Sequence, residues 1–207
     1  MPRASSRNSH LVPDVLQPGL DLVFCGTAPS PASFKARAYY ANPGNAFWPT
    51  LFAVGFTPER LTPDRYPELP GWGLGLTDLN KTEYGSDHEL SAEAMDSASL
   101  HGKLRRFRPA AIAFTSKNAA QLALGAKSIG YGRQGELEGA AVFVLASPSG
   151  RARSFWTIEP WREASAFVEA RRQARRRAAL SAGAAQSSAR WLLPWRRPPS
   201  FMPGSRP

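Results

Sequence analysis

Apolar positions in this 207-residue chain fall into two patterns, short continuous runs and longer stretches of helical period. The runs at 21–25 (DLVFC), 72–77 (WGLGLT), 110–115 (AAIAFT) and 140–146 (AAVFVLA) have the length and the β-branched or aromatic content of buried strands. Between them, 46–54 carries Phe47, Trp48, Leu51, Phe52 and Val54 at helical spacing, with Pro49 tolerated in a first turn that begins near Asn45. Ser91 opens a second helical stretch to Phe107, with Glu93 in its first turn. Residues 117–124 form a third, closed by Gly125, and the Ala/Arg-rich stretch 156–177 a fourth. Strands alternating with helices predict a three-layer α/β/α fold around a mainly parallel, four-stranded sheet.

The segments without period divide the rest. Residues 26–45, rich in Pro, Gly, Ala and Asn, predict a long ordered loop of the kind that carries function. Prolines 58, 63, 67 and 70 limit 57–71 to a loop with at most a short helix, and 80–90 reads as a polar loop. Residues 1–18 are expected to be mostly disordered, with 11–16 the part able to dock. Residues 19–177 form the single expected domain, and 178–207 an expected disordered tail.

Charge changes the picture once it is located. The net charge of +10 is concentrated in 171–207, which hold nine Arg and no Asp or Glu; the remaining 170 residues carry 17 basic and 16 acidic side chains. The basic balance therefore belongs to the tail and does not by itself make the core a nucleic-acid binder. No stretch approaches the ~20 apolar residues of a membrane span, and the N-terminus lacks an apolar signal region. The single Cys25 excludes an intrachain disulfide and any all-cysteine metal site, and a reducing cytoplasm is the natural setting.

Two loops carry the chemistry. Gly26-Thr27-Ala28-Pro29-Ser30 follows the first strand, and Ser147-Pro148-Ser149-Gly150 follows the last. In a parallel sheet both leave carboxyl ends and meet at one edge, where open α/β folds hold their ligands. Neither is a phosphate-cradling Gly-x-Gly-x-x-Gly or Gly-Lys-Ser loop, and no Gly-x-Ser-x-Gly elbow is present.

These loops belong to an ordered set: 13–30 (PDVLQPGLDLVFCGTAPS), 39–63 (YYANPGNAFWPTLFAVGFTPERLTP), 75–82 (GLTDLNKT), 112–119 (IAFTSKNA) and 145–153 (LASPSGRAR). Across residues 11–170, in order and spacing, the set resembles the mismatch-specific uracil/thymine DNA glycosylase family of the uracil-DNA glycosylase superfamily. The resemblance implies the fold of that superfamily and a monofunctional glycosylase of base excision repair. Such an enzyme extrudes a nucleotide from duplex DNA and hydrolyses its N-glycosidic bond with water, without metal or cofactor. Its partner would be double-stranded DNA with a damaged or mismatched base, bound by a monomer and not by a membrane protein, in a bacterial-type cytoplasm at the nucleoid.

The reaction needs a stacking surface for the base, a group near C1′ that positions water and offsets positive charge on the sugar, and donors for the DNA backbone. The resemblance assigns the stacking ring to Tyr40 and the base-pocket wall to Thr27 and Ala28. It assigns the DNA grip to Ser147, Ser149 and Gly150, with Arg151 and Arg153 following as wedge or phosphate ligands. Arg151 departs from the apolar wedge common in the family. Ala28 departs further, standing where better-known members hold the water with asparagine. Asp78, ending the second strand, is the first candidate to replace it, and Asp87 in the polar loop the alternate. Serine replaces histidine in the second motif, so histidine-assisted departure of the base is not expected there. His88 and His101 read as surface histidines, and Trp191 and Trp195 are the features that mark the tail. Two other readings compete: a catalytically weak damage-binding protein on the same scaffold, and an α/β protein holding a small ligand.

Overall fold

A computed structural model describes residues 10–86 and 89–190. Five strands form one sheet in the order β2-β1-β3-β5-β4: β1 Leu22–Gly26, β2 Leu74–Asp78, β3 Ala111–Phe114, β4 Gly132–Leu137 and β5 Ala140–Val144. β1, β2, β3 and β5 are parallel, with Gly26 opposite Asp78 and Cys25 opposite Phe114. Every residue of these four strands is buried, as their unbroken apolar runs require of strands covered on both faces.

The mainly parallel α/β sheet is as expected, but it has five strands and not four. β4 (GRQGEL) pairs antiparallel with β5 at the sheet edge. Its middle residues face solvent, so no apolar signal marks it, and backbone pairing with β5 is what makes it a strand. The connection turns at Glu138 (φ 51) and Gly139 (φ 80), the left-handed pair that a tight hairpin demands. Gly139→Ala is expected to cost about 1–2 kcal/mol and lower Tm by a few degrees, read by thermal unfolding.

Side-chain alternation sends two sets of residues to opposite faces of the sheet. Leu22, Phe24, Leu74, Leu76, Ala113 and Phe143 pack under helix α2 (Phe47–Ala53) and the start of α5 (Glu159–Arg190), in a core with Trp161 and Val168. Phe24 is its hub, edge-on to Phe47 and Phe56 and stacked on Trp161 at 5.9 Å. Cys25, Ile112, Phe114, Val142 and Val144 face α3 (Ser97–Phe107) and α4 (Lys117–Leu124). The three layers are thus those the sequence predicts. A short helix α1 (Pro31–Ala36), capped by Ser30, follows the first loop.

Several boundaries differ from expectation. α3 starts at Ser97, because the Asp96 carboxylate caps Ser99 N–H, whereas Ser91 spends its hydroxyl on Glu83. Residues 63–72 form one 3-10 segment despite their prolines. The last helix, α5, spans Glu159–Arg190 and runs well past 177, since 178–190 are dominated by alanine, the best helix former. The segment 11–15 docks as expected: Val12 is fully buried, and Val15 bridges Leu76 through two backbone hydrogen bonds of 2.9 and 3.0 Å.

The chain divides into two compact units, residues 1–169 and 170–207. The sheet belongs to the first. Within the described residues the second is the continuation of α5 from Ala170 to Arg190. Among the described residues no helix is long and apolar enough to cross a membrane. Trp191 and Trp195 lie outside the described residues.

Candidate active site

Parallel pairing puts Gly26 and Asp78 side by side at the carboxyl edge of the sheet. The absent side chain at Gly26 is what makes room there. A Cβ at residue 26 would stand 2.5 Å from Asp78 Oδ1 and 3.4 Å from Tyr40 Oη, so the carboxylate and the phenol face the same spot. Asp78 is only 5% exposed. Burial pushes its carboxyl up to about 6; Lys81 and Lys103 oppose that rise, Asp14 adds to it, and the Gly26 backbone opposes it by hydrogen bonding.

Lys81 is buried too, and its ammonium lies 3.8 Å from Asp78 Oδ2. Its shorter contacts go elsewhere, to Asp14 Oδ1 at 2.9 Å and to Tyr39 Oη at 2.8 Å. Lys103, from α3, pairs with the other Asp14 oxygen at 2.8 Å and donates to Thr77 Oγ1 at 3.1 Å. Thr77 in turn donates to Asp14 Oδ1 at 2.9 Å. The result is a four-charge cluster of two carboxylates and two ammonium groups.

Tyr40 takes a left-handed backbone conformation (φ 53) that turns its ring onto Phe47, stacked at 3.9 Å and 15°. Its hydroxyl lies 3.1 Å from Thr115 Oγ1. Burial, and then the Asp78 charge, drive the phenol well above its ordinary pKa, so it stays protonated. Thr27 is buried and Ala28 half-buried beside it. Leu79 N–H donates to the Gly26 carbonyl at 3.0 Å and Asn80 N–H to the Thr27 carbonyl at 2.8 Å, which ties the loop after β2 to the first loop.

The 147–150 loop is held against the segment before α2. Ala46 N–H donates to the Pro148 carbonyl at 2.8 Å, and a Cβ at Gly150 would lie 3.1 Å from the Gly44 carbonyl. Ser147 Oγ accepts from Ser149 N–H and Ser149 Oγ from Arg151 N–H, each at 3.4 Å, so both hydroxyls shape the loop that opens the 3-10 turn 150–155. Arg151 is exposed and reaches Ser86 Oγ at 2.5 Å; Gly85 N–H bonds the Pro29 carbonyl at 3.0 Å. Arg153 is exposed and joins Gly44, Ala46, Ser149 and Trp156 around a groove of about 340 Å³. Four loops, 26–30, 39–46, 79–86 and 147–151, are therefore linked around one edge of the sheet.

Asp87 and His88 lie outside the described residues. His101 pairs with Glu138 at 2.8 Å, at the start of β5 and so at the opposite edge of the sheet from the loops. Among the described residues no group of three His, Cys, Asp or Glu side chains is arranged to hold a metal ion. The sequence reading missed Asp14, Lys103 and Thr115. Asp14 and Thr115 stand inside recognised segments, 13–30 and 112–119, and Lys103 in a helix of ordinary charge pattern, but only the tertiary contacts single them out. Lys81 stood inside a recognised segment, four residues after Thr77 and three after Asp78.

A carboxylate and an aromatic hydroxyl thus share the carboxyl edge of a parallel α/β sheet, ringed by Gly/Pro/Ser loops. A model of the uracil DNA glycosylase superfamily matches residues 13–171, and the chain belongs to that superfamily. Membership implies a DNA glycosylase and DNA as the substrate. The fold is also that of the solution NMR structure of a Methanosarcina acetivorans protein provisionally described as a uracil DNA glycosylase. The two share 22% identity and a TM-score of 0.56 over 76% of this chain and 95% of that one.

Proposed function

We propose that the protein is a monofunctional glycosylase that excises uracil, and related deaminated or mismatched bases, from duplex DNA by attack of water. One observation carries this reading: a nearly fully buried carboxylate, Asp78, lies beside Gly26, the first residue of the loop in which Ala28 offers no polar group. Asp78 would orient the water and offset the positive charge that develops on the sugar as the C1′–N bond breaks. The Tyr40 ring, backed by Phe47, would support the flipped base, and Thr27 and Ala28 would wall its pocket. Ser147, Ser149, Gly150, Arg151 and Arg153 would meet the DNA, the serines by holding the loop in shape and the arginines by reaching phosphate or the emptied stack. The resemblance to the mismatch-specific branch supports a substrate range that includes mispaired bases.

The test is a single-turnover assay on duplex oligonucleotides carrying uracil, hypoxanthine, xanthine or a mismatch. Release of uracil with first-order kinetics is expected. Tight binding of a damaged duplex without release of any base would replace this reading with a damage-binding protein, and indifference to damage would point to a small ligand. Tyr40→Leu is expected to weaken damaged-duplex affinity or excision by about 10- to 100-fold, the range of one lost base–aromatic stack. Titration with a uracil duplex and an undamaged control measures it.

A further inference from the structure

Three charged side chains, Asp14, Lys81 and Lys103, meet beside the proposed water-holding group Asp78, and their distances are unequal in an informative way. An ammonium group has three N–H donors. Lys81 gives one to Asp14 at 2.9 Å and one to Tyr39 Oη at 2.8 Å, and stands 3.8 Å from Asp78, beyond direct hydrogen-bond range. Asp14 thus draws the ammonium off Asp78 far enough to free the carboxylate oxygens, yet leaves it near enough to favour their charge. Asp14 is itself fixed. Leu11 N–H donates to the Lys81 carbonyl at 3.1 Å, Val15 is bonded to Leu76 on the far side, and Lys103 holds the second Asp14 oxygen.

We infer that Lys81, held back by Asp14 of the N-terminal segment, is a positioning residue that sets the charge and orientation of the Asp78 carboxylate. The inference rests on the reading of Asp78 as the group that holds the water. A simple structural ion pair would bring Lys81 and Asp78 to contact distance and needs no Asp14. Here the direct pair is made with Asp14, and Asp78 is left to face Gly26 and the Tyr40 hydroxyl. The other groups around Asp78 are Lys103 from α3, Cys25 from β1, and Tyr39 and Tyr40 from the loop after α1. Burial raises the pKa of the thiol and both phenols, which stay neutral. His10, beside Asp14, is shifted down by burial and is neutral at pH 7. The lysines and Asp14 are therefore the fixed charges that Asp78 feels, and they act in opposite directions.

The experiment follows the Asp78 carboxyl by carbon NMR titration and the excision rate by single-turnover assay, each from pH 5 to 9, in wild type, Lys81→Met, Lys81→Arg and Asp14→Asn. Lys81→Met should raise the Asp78 midpoint by at least one pH unit, and its excision rate at pH 6 should fall at least about fivefold and recover as pH rises. Asp14→Asn should move the midpoint the opposite way, and Lys81→Arg should restore the wild-type profile. Midpoints that stay in place, or that move in the same direction in Lys81→Met and Asp14→Asn, overturn the inference. Should Lys81→Met not fold, Asp14→Asn alone decides by the sign of its shift. The inference and the reading beneath it fail separately. Unmoved midpoints with an inactive Asp78→Ala overturn only the role of Lys81, whereas an active Asp78→Ala overturns the reading of Asp78 even if the midpoints move as stated.

Discussion

Asp78→Ala is expected to slow uracil excision by roughly 100- to 1,000-fold at saturating enzyme, the scale of one preorganised group stabilising transition-state charge. Methyl replaces the carboxylate next to Gly26, so on the proposed reading neither the water nor the sugar cation would keep its partner. A wild-type rate would remove Asp78 from the mechanism. Asp78→Asn is a milder change, because an amide can still hold water. The pH profile carries the same argument. With the Asp78 carboxyl pushed up to about 6 by burial, the required ionised form is lost as pH falls through 6, and excision should fall with it.

The same shift makes a statement about stability. The folded protein holds the Asp78 proton more tightly than the unfolded chain, where the ordinary value is 3.8. The stability due to this group is thus full below about pH 4 and is lost as pH rises through about 6, an effect of roughly 3 kcal/mol in all. Asp78→Asn, which cannot ionise, should therefore raise Tm at pH 7.5, and the gain should fade towards pH 4. A site that gives up stability for a charged group at neutral pH is the pattern expected where chemistry is done.

Gly26→Ala is expected to reduce excision at least tenfold and stability by about 1–3 kcal/mol, the usual cost of overpacking. The backbone of Gly26 is held by its register with Asp78 and by Leu79 N–H on its carbonyl, so the strand has little room to yield. The added methyl would meet Asp78 Oδ1 at 2.5 Å, and the carboxylate must turn away, with Lys81 behind it. Parallel measurement of the single-turnover rate and Tm separates loss of geometry from loss of fold. A wild-type rate would show that the carboxylate moves aside freely and that its seat beside Gly26 has no part in catalysis.

Much of the scaffold was legible because strands buried on both faces must be apolar throughout. The runs that became β1, β2, β3 and β5 could hardly be anything else at their length, and their order with the helices leaves few topologies. β4 was not legible, since an edge strand facing water gets its identity from backbone pairing and not from side chains. α3 began later than expected because Asp96 and Ser91 are both capping residues, and the choice between them depends on Glu83, which binds Ser91.

The site divides along the same line. The two Gly/Pro/Ser loops, the alanine in place of asparagine, and a carboxylate at the end of the second strand are local facts, readable from order and spacing. What Asp78 experiences is not local. Its burial, the room left by Gly26, the hydroxyl of Tyr40 and the opposed charges of Lys81, Lys103 and Asp14 come from residues as many as 64 positions away. Such groups act through distances of a few ångströms and a low-dielectric surrounding, and only the packed sheet sets either one. The sequence by itself determined which scaffold is built and offered Asp78, with Asp87 as alternate, as its carboxylate; the tertiary structure decided how Asp78 is buried and charged and which neighbours hold it.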